Sequence, residues 1–191
     1  MRSAKQDTTQ GGKDQRLQAQ ENLVRFERTI LPHLDAAYNL ARWLTRNERD
    51  AEDVAQESFL RAFQYFGGFR GGDGRVWLLK IVRNTCFSWL RRNRSAELSE
   101  SLEPESCASP GGPLNPEEDV WRGVQRQWLL QALEELPVEF REVAILSDLE
   151  GLSYREIAEV VEVSLGTVMS RLSRARNRLR KTLTERLSKE R

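Results

Sequence analysis

The fold is decided by residues 151–179, which read GLSYREIAEVVEVSLGTVMSRLSRARNRL. Ser153 has the composition of a helix N-cap, and Glu156 three residues later completes a capping box that satisfies the first free amides of a helix. We therefore predict a helix that begins directly after Ser153. A short polar connection around Ser164 and Gly166 is predicted to turn the chain into a second helix. Two short helices joined in this way form the helix-turn-helix layout.

The second predicted helix has an apolar face and a cationic face. From Ser164 to Thr182 the chain carries six basic residues and no acid. Such a stripe suits phosphate contact and entry into a DNA groove, whereas a solvated cationic face on an ordinary bundle helix is the alternative. Two sets of residues recur at i, i+4, i+7 and i+11. The apolar set is Val168, Leu172, Ala175 and Leu179, and the other set is Thr167, Arg171, Arg174 and Arg178.

Length and charge distribution predict two small helical domains. The chain has 191 residues and a net charge of +1, so its total charge does not reveal a polyanionic partner. The charge is segregated, however, because residues 75–94 hold six basic residues and no acid, and residues 97–119 hold seven acids and no base. The acidic stretch is rich in Ser, Pro and Gly and cannot bury a core, so we interpret it as a flexible linker.

The predicted organisation is a disordered tail at 1–19, a helical domain at 20–94, a linker at 95–119 and a helix-turn-helix domain at 120–187. The fold class is therefore all-α. The two cysteines show no metal spacing and no disulfide framework, and no apolar run approaches a signal or membrane segment. We expect no metal, no cofactor, no membrane insertion and a cytoplasmic location. An enzyme is the least favoured class, since the chain has a single histidine, His33.

The segment DAEDVAQESFLRAF, at residues 50–63, has an apolar stripe and an acidic opposite face. Helix chemistry explains some of the acids, with Asp50 as the N-cap and Asp53 in the first turn. It does not explain Glu57 beyond the first turn, or Leu60 among polar neighbours. An acidic docking surface with an apolar anchor is the alternative, and spacing alone favours neither. The stripe comprises Ala51, Val54, Ala55, Phe59, Ala62, Phe63 and Phe66.

The segment RVWLLKIVRNTCFSWLRRNR, at residues 75–94, predicts a helix with cations, an amide and an aromatic on one face. Such a face suits single-stranded nucleic acid, because cations follow the backbone, aromatic rings stack on bases and an amide can read a base edge. The alternative is that the aromatic residues are core and the arginines only solubilise. We favour the core for the tryptophans and nucleic acid for the arginines. The face comprises Lys80, Arg83, Asn84, Phe87 and Arg91.

Three motifs, taken in order, resemble the bacterial sigma-70 family of RNA polymerase sigma factors, in its small extracytoplasmic-function group. They are DAEDVAQESFLRAF, then FRGGDGRVWLLKIVRNTCFSWLRR, then LPVEFREVAILSDLEGLSYREIAEVVEVSLGTVMSRLSRAR. The resemblance runs from about Phe26 to Leu183 and implies two domains, called sigma-2 and sigma-4. It further implies that the partners are core RNA polymerase, promoter DNA and an anti-sigma factor, through which the chain could be held at a membrane.

The resemblance assigns three sets of residues. The acidic helix would dock on the clamp helices of the largest polymerase subunit, and the C-terminal domain on the flap region. The second set would capture the non-template strand of the minus-10 element, and the third would enter the major groove of the minus-35 element. The polymerase-docking set is Asp50, Asp53, Gln56, Glu57 and Leu60. The minus-10 set is Phe69, Lys80, Arg83, Asn84, Arg91 and Arg92. The minus-35 set is Thr167, Ser170, Arg171, Arg174 and Arg178.

Two other classes of protein are alternatives to a sigma factor. A sigma mimic that titrates an anti-sigma protein would keep the protein-binding surfaces but shed the DNA-facing cations, which this chain retains. A stand-alone helix-turn-helix regulator normally needs a dimer interface to match a palindromic operator. The chain departs from the family at Arg75 and Val76, where many members have an aromatic pair, and at Met169, where many have Lys or Arg.

Overall fold

The computed structural model describes residues 20–93 and 116–189, and every regular element within these ranges is helical. The predicted fold class, all-α with two helical domains, is confirmed. The N-terminal domain contains α1 (20–30), α2 (Leu34–Thr45), α3 (Glu48–Tyr65) and α4 (Gly74–Asn93). The C-terminal domain contains α5 (Pro116–Glu134), α6 (Val138–Ala144), α7 (Tyr154–Val161) and α8 (Leu165–Lys189).

The predicted tail at 1–19 and most of the predicted linker at 95–119 lie outside the described residues. The end of that linker instead belongs to α5, which begins at Pro116 rather than at Val120. Proline is compatible with the first turn of a helix, because the amide that it lacks has no intrahelical partner there. The helical part of the C-terminal domain therefore starts earlier than the composition indicated.

The N-terminal domain packs α2, α3 and α4 around an apolar core. Leu40, Val54 and Leu79 are fully buried in it. The stripe predicted on α3 faces this core, with one correction: Phe63 is 53% exposed and places its ring edge-on against Phe26 at 5.2 Å. Phe63 is thus at the margin of the core rather than inside it.

The start of α3 differs from the prediction. Asn47 is the N-cap, and its side-chain oxygen accepts a hydrogen bond from the Asp50 amide at 3.0 Å. The prediction of Asp50 as N-cap is therefore wrong, because Asn47 already supplies the capping oxygen. Asp50 lies in the first turn, where a negative charge complements the helix dipole.

The helix-turn-helix is formed by α7 and α8, and its capping box is confirmed. The Glu156 amide donates to the Ser153 hydroxyl at 3.3 Å, and the Ser153 amide donates to the Glu156 carboxylate at 2.6 Å. The chain turns at Glu162, which has a left-handed φ of 57°, and Ser164 caps α8 with its hydroxyl. Gly166 lies inside α8, so the prediction that it forms the turn is wrong.

An aromatic cluster fixes the chain before α4. The Phe69 ring stacks on Phe66 at 5.6 Å and lies 5.1 Å from the Trp77 ring. Gly74 begins α4 against α1, and a Cβ atom there would lie 2.6 Å from the carbonyl oxygen of Thr29. Only glycine allows this approach of the two backbones without a shift.

The two domains pack directly on each other. α7 lies against α4 and α6 against α2, and apolar residues of both domains form one continuous core. At the edge of this interface, Arg46, which follows α2, and Arg141 of α6 both donate hydrogen bonds to the Glu134 carbonyl. Burial lowers the pKa of Arg141 to about 10, and the nearby charge of Arg46 acts in the same direction. This packing brings the C-terminal domain onto the cationic face of α4.

Candidate functional site

The acidic face of α3 is largely open to solvent. Asp53 and Gln56 are exposed, and Leu60 is 54% exposed on the same helix. Glu57 is partly buried and pairs with Arg61 at 2.7 Å, one turn along the helix. An exposed leucine between acidic and amide side chains fits a docking surface better than it fits helix capping, since it contributes nothing to either end of α3.

The face of α4 predicted to bind nucleic acid is part exposed and part covered. Asn84, Arg91 and Arg92 are exposed. The Arg83 guanidinium lies 4.6 Å from the centre of the Phe87 ring, a cation–π geometry that holds the arginine side chain along the helix.

The tryptophans of α4 behave as core residues. Trp77 and Trp89 are partly buried and pack against the apolar cluster. This confirms the preference for a core role over base stacking. The guanidinium of Arg92, which belongs to the predicted minus-10 set, lies over the Trp89 ring at 5.9 Å from its centre.

Three cations of α4 form ion pairs with three glutamates of the C-terminal domain. Sequence reasoning missed all three glutamates, since contacts between distant segments leave no periodic pattern in the chain. The pairs join a basic run to acids that are scattered through the helix-turn-helix region. They are Arg75 with Glu150 at 2.5 Å, Lys80 with Glu162 at 2.9 Å, and Arg83 with Glu142 at 2.9 Å.

Glu142 connects the two predicted DNA-binding sets. Its side chain is 1% exposed; one carboxylate oxygen accepts from Arg83 of α4 at 2.9 Å and the other from Arg171 of α8 at 3.1 Å. Burial raises the pKa of the Glu142 carboxyl, while the two guanidinium groups oppose that shift. The structure thus brings together one arginine from the minus-10 set and one from the minus-35 set.

The loop before α4 presents its backbone rather than the ring of Phe69. Phe69 is 7% exposed in the aromatic cluster, while residues 70–73 are exposed. The Phe69 carbonyl accepts a hydrogen bond from the Arg25 guanidinium at 3.1 Å, and Arg25 also lies over the Phe66 ring at 5.4 Å. A direct contact between the Phe69 ring and a base remains a prediction and requires the ring to leave the cluster. Arg25 was missed because it is far from the loop in sequence.

The predicted division of α8 into two faces is confirmed for its apolar residues. Val168, Leu172 and Ala175 are buried. On the other face Thr167 and Arg171 are partly buried, and Arg171 is engaged by Glu142 as described above. The Ser170 hydroxyl donates to the Thr167 carbonyl at 3.0 Å, and Arg178 lies over the Phe140 ring at 5.0 Å. The fully exposed members of the minus-35 set are Ser170, Arg174 and Arg178.

In the described ranges, no group of three or more His, Cys, Asp or Glu side chains is arranged to hold a metal ion. None of the helices in 20–93 and 116–189 combines the length and the hydropathy that a membrane crossing demands.

Comparison with known families matches both domains. The model for sigma-70 region 2 matches residues 29–96, and the model for sigma-70 region 4 matches residues 126–179. The first match includes all of α2, α3 and α4, and the second includes the end of α5, all of α6 and α7, and the first part of α8. The acidic face and both cationic faces therefore lie inside the matched regions.

Individual relatives point the same way. The ECF RNA polymerase sigma factor SigE of Mycolicibacterium smegmatis is 36% identical over 160 residues, which cover 84% of this chain and 62% of the relative. The ECF RNA polymerase sigma-E factor of Salmonella typhimurium is 38% identical over 136 residues, which cover 66% of this chain and 70% of the relative. The chain thus spans less than two thirds of the length of the Mycolicibacterium protein.

Among solved structures, the sigma factor RpoE of Bartonella quintana, in complex with the anti-sigma factor NepR, superposes with a TM-score of 0.71 at 29% identity. The match covers 84% of this chain and 97% of RpoE. Both helical domains are therefore shared with a known sigma factor, in sequence and in three dimensions. With two family models in the expected order and relatives above one third identity, this chain belongs to the extracytoplasmic-function group of the sigma-70 family.

Proposed function

We propose that this protein is an RNA polymerase sigma factor that binds core polymerase and directs it to the promoters of a stress or signal regulon. The observation that supports this most is the coexistence, in one chain, of an exposed acidic helix face and two separate cationic helix faces within regions 2 and 4 of the family. A stand-alone regulator does not need an acidic docking face, and a sigma mimic does not need the two cationic faces.

The N-terminal domain supplies polymerase docking and strand capture. Leu60 provides an apolar anchor on α3, and the acids around it select a basic partner surface on the clamp helices of the largest subunit. On α4, Asn84 has the donor and acceptor groups to read the edge of an unpaired base, while Lys80, Arg83, Arg91 and Arg92 contact the backbone. The loop at 69–73 borders the pocket for the flipped base.

The C-terminal domain anchors the polymerase upstream. The amino-terminal part of α8 enters the major groove, which is wide enough to admit a helix. Ser170 and Arg174 face the bases there, together with Thr167 and Arg171, and Arg178 contacts a phosphate further along the helix. The flap region of polymerase holds this domain at the distance that separates the two promoter elements.

We further propose an anti-sigma factor as a regulatory partner. The Bartonella relative was solved with the anti-sigma factor NepR. CnrH was solved with the cytosolic domain of CnrY, and it superposes with a TM-score of 0.58 at 26% identity, covering 84% of this chain and 88% of CnrH. A partner of this type would keep the chain from polymerase, in the cytoplasm or at the membrane, until a signal releases it.

The decisive test is reconstitution with bacterial core polymerase. We expect the chain to confer transcription from a subset of fragments in a genomic library of its source organism, with new start sites that share upstream motifs when the RNA 5′ ends are mapped. Core polymerase alone is the baseline. An absence of chain-dependent start sites, despite a folded protein, would refute the proposal.

The docking surface is tested separately. We expect the double variant Asp53→Asn, Leu60→Ala to weaken binding to core polymerase at least tenfold, because it removes a charge and an apolar anchor at the centre of the face. The matched control is Glu27→Gln, Leu23→Ala, which removes an exposed acid and an exposed leucine from α1. Equal affinity of the two variants for core polymerase would contradict the assignment.

A further inference from the structure

The first helix, α1, contacts both ends of the loop that precedes α4. Arg25 donates a hydrogen bond from its guanidinium to the Phe69 carbonyl at 3.1 Å, where the loop begins. Thr29, one turn further along α1, lies so close to Gly74 that a Cβ atom there would meet the Thr29 carbonyl oxygen at 2.6 Å. Residues four apart lie on the same face of a helix. One face of α1 therefore fixes both the point where the loop leaves the aromatic cluster and the point where it enters α4.

Two aromatic rings hold the Arg25 guanidinium in addition to the carbonyl. Its central carbon lies 5.4 Å from the centre of the Phe66 ring and 5.9 Å from the centre of the Phe69 ring. Both distances are within the range of a cation–π contact. Because the guanidinium is planar, it can lie over a ring and donate to an oxygen in its own plane at the same time. Arg25 thus ties the backbone of the loop to the rings that anchor it.

The middle of the loop lies between these two anchors and is exposed at residues 70–72. Gly71 and Gly72 have φ values of 96° and 100°, a conformation that residues with a side chain rarely adopt. At the far end, the Asp73 carboxylate accepts hydrogen bonds from the amides two and three residues further on, at 2.8 and 3.3 Å. The exposed backbone is therefore suspended between two fixed points, and its position depends on both.

We infer that Arg25 is a positioning residue for base capture. It holds the loop at 69–73 in the conformation that receives the flipped base, and it thereby sets which base the minus-10 site prefers. This role rests on the proposed function, since it takes the loop to border the base pocket. It goes beyond that function because Arg25 lies outside the three residue sets assigned to polymerase and DNA, and precedes residue 29, where the match to sigma-70 region 2 begins.

Base choice depends on the position of the loop because an unpaired base is read by hydrogen bonds to its edge. Such bonds weaken steeply when the donor or the acceptor turns out of line. The exposed part of the loop offers the backbone amides and carbonyls of residues 70–72, and the course of the chain sets their directions. A residue that fixes the start of the loop, as Arg25 does, therefore influences all of these directions without supplying a contact to DNA.

Hydrogen–deuterium exchange of the free, full chain tests the positioning contact. The probe is a peptide covering residues 66–72, in which the Phe69 amide donates to the Phe66 carbonyl at 2.9 Å. In Arg25→Gln we expect this peptide to exchange about 3- to 10-fold faster, because the guanidinium no longer holds the loop. The control is Arg28→Gln, which removes the same charge from an exposed position one turn along α1. Exchange in the other peptides reports whether each variant keeps its fold, and equal exchange of the loop in the two variants would overturn the positioning contact.

The effect on base choice is measured with core polymerase. Each position of the minus-10 element of a promoter found by the transcription mapping is changed in turn to the other three bases. The preference at a position is the ratio of initiation with the best base to initiation with the others. We expect Arg25→Gln to lower this ratio about 3- to 10-fold at the position that the loop reads, and Arg28→Gln to leave it unchanged. Both variants should bind core polymerase as the wild type does, since neither residue belongs to the polymerase-docking set.

Two patterns of initiation would reject this role of Arg25. A wild-type preference in Arg25→Gln, despite faster exchange, would show that the position of the loop does not set base choice. An equal loss on every promoter variant, with a shallower salt dependence of DNA binding, would show that Arg25 contacts a phosphate directly, since such contacts do not depend on sequence. If the wild type lacks chain-dependent transcription, the proposed function fails and the role in base choice fails with it. The exchange result still decides whether Arg25 holds the loop.

Discussion

Glu142 is the most buried of the three glutamates that pair with cations of α4. A buried carboxylate is costly unless charged donors satisfy both of its oxygens, and here Arg83 and Arg171 do so from opposite domains.

Cys86 is a structural thiol rather than a reactive one. It is fully buried in α4, and burial raises the pKa of the thiol to about 12. Since the thiolate is the reactive form, both the raised pKa and the burial of the thiol suppress its reaction at neutral pH. In the variant Cys107→Ser, which leaves Cys86 alone, we expect almost no reaction of the native protein with a thiol reagent. The reaction should become fast in urea.

The control for the thiol prediction is the converse variant, Cys86→Ser, which leaves Cys107 of the linker. A rate of native Cys86 labelling close to that of free cysteine would contradict its burial and would reopen a redox role for this position.

At the scale of elements, α4 is the helix that joins the two halves of the molecule. It packs on α2 and α3 through one side and on α7 through another. Its position is set at its first residue, where Gly74 lies against the Thr29 backbone of α1. Because the aromatic cluster and the loop at 69–73 both lie at this end of α4, a shift there changes the two together.

We therefore expect Gly74→Ala to lower the free energy of unfolding by about 1 to 3 kcal/mol, because the added methyl group cannot be accommodated without moving backbone. Urea unfolding followed by circular dichroism measures the change. Gly68→Ala is the matched control, since a Cβ atom there meets nothing within 4 Å. Equal unfolding midpoints for the two variants would show that α1 and α4 are not in close contact.

Local signals in the sequence predicted most elements correctly, and the errors have local causes. The capping box of Ser153 and Glu156 and the apolar spacing of α8 depend only on near neighbours along the chain, so pattern alone reveals them. The N-cap of α3 was misplaced because Asn47 and Asp50 are both good caps, and only backbone geometry decides between them.

The candidate site was predictable only in part. Exposure of Asp53 and Leu60 on α3 follows from helical periodicity, and it is as expected. The pairing of Arg83 with Glu142 depends instead on how two domains meet, which no spacing within one segment can encode. Sequence reasoning identified the cations and assigned them to DNA, but it could not show that protein carboxylates already engage some of them.

At the scale of the whole molecule, the small net charge of +1 conceals complementary surfaces. Acids of the C-terminal domain meet the cations of α4, while the acids of α3 remain exposed to an external partner. If the proposed function holds, the exposed acids of α3 are available to a basic protein surface while some cations of α4 are already paired within the chain.

We accordingly expect that the free chain does not open promoter DNA. Separating base pairs costs on the order of 1.4 kcal/mol per stacked step, and each captured base returns about 1 to 3 kcal/mol by stacking. The two quantities nearly cancel, so the chain alone has no surplus with which to melt DNA. Under the proposed function, core polymerase shifts the balance because it adds its own contacts to the DNA.

The measurement uses a promoter identified by the transcription mapping, with a fluorescent base analogue in its minus-10 element. Fluorescence should rise only when the chain and core polymerase are both present, and the chain alone and polymerase alone serve as controls. The variant Asp53→Asn, Leu60→Ala should lose the signal at protein concentrations where the wild type is active, because it does not dock. A rise in fluorescence with the free chain would contradict the prediction, because it would show that strand capture by the chain alone exceeds the cost of opening.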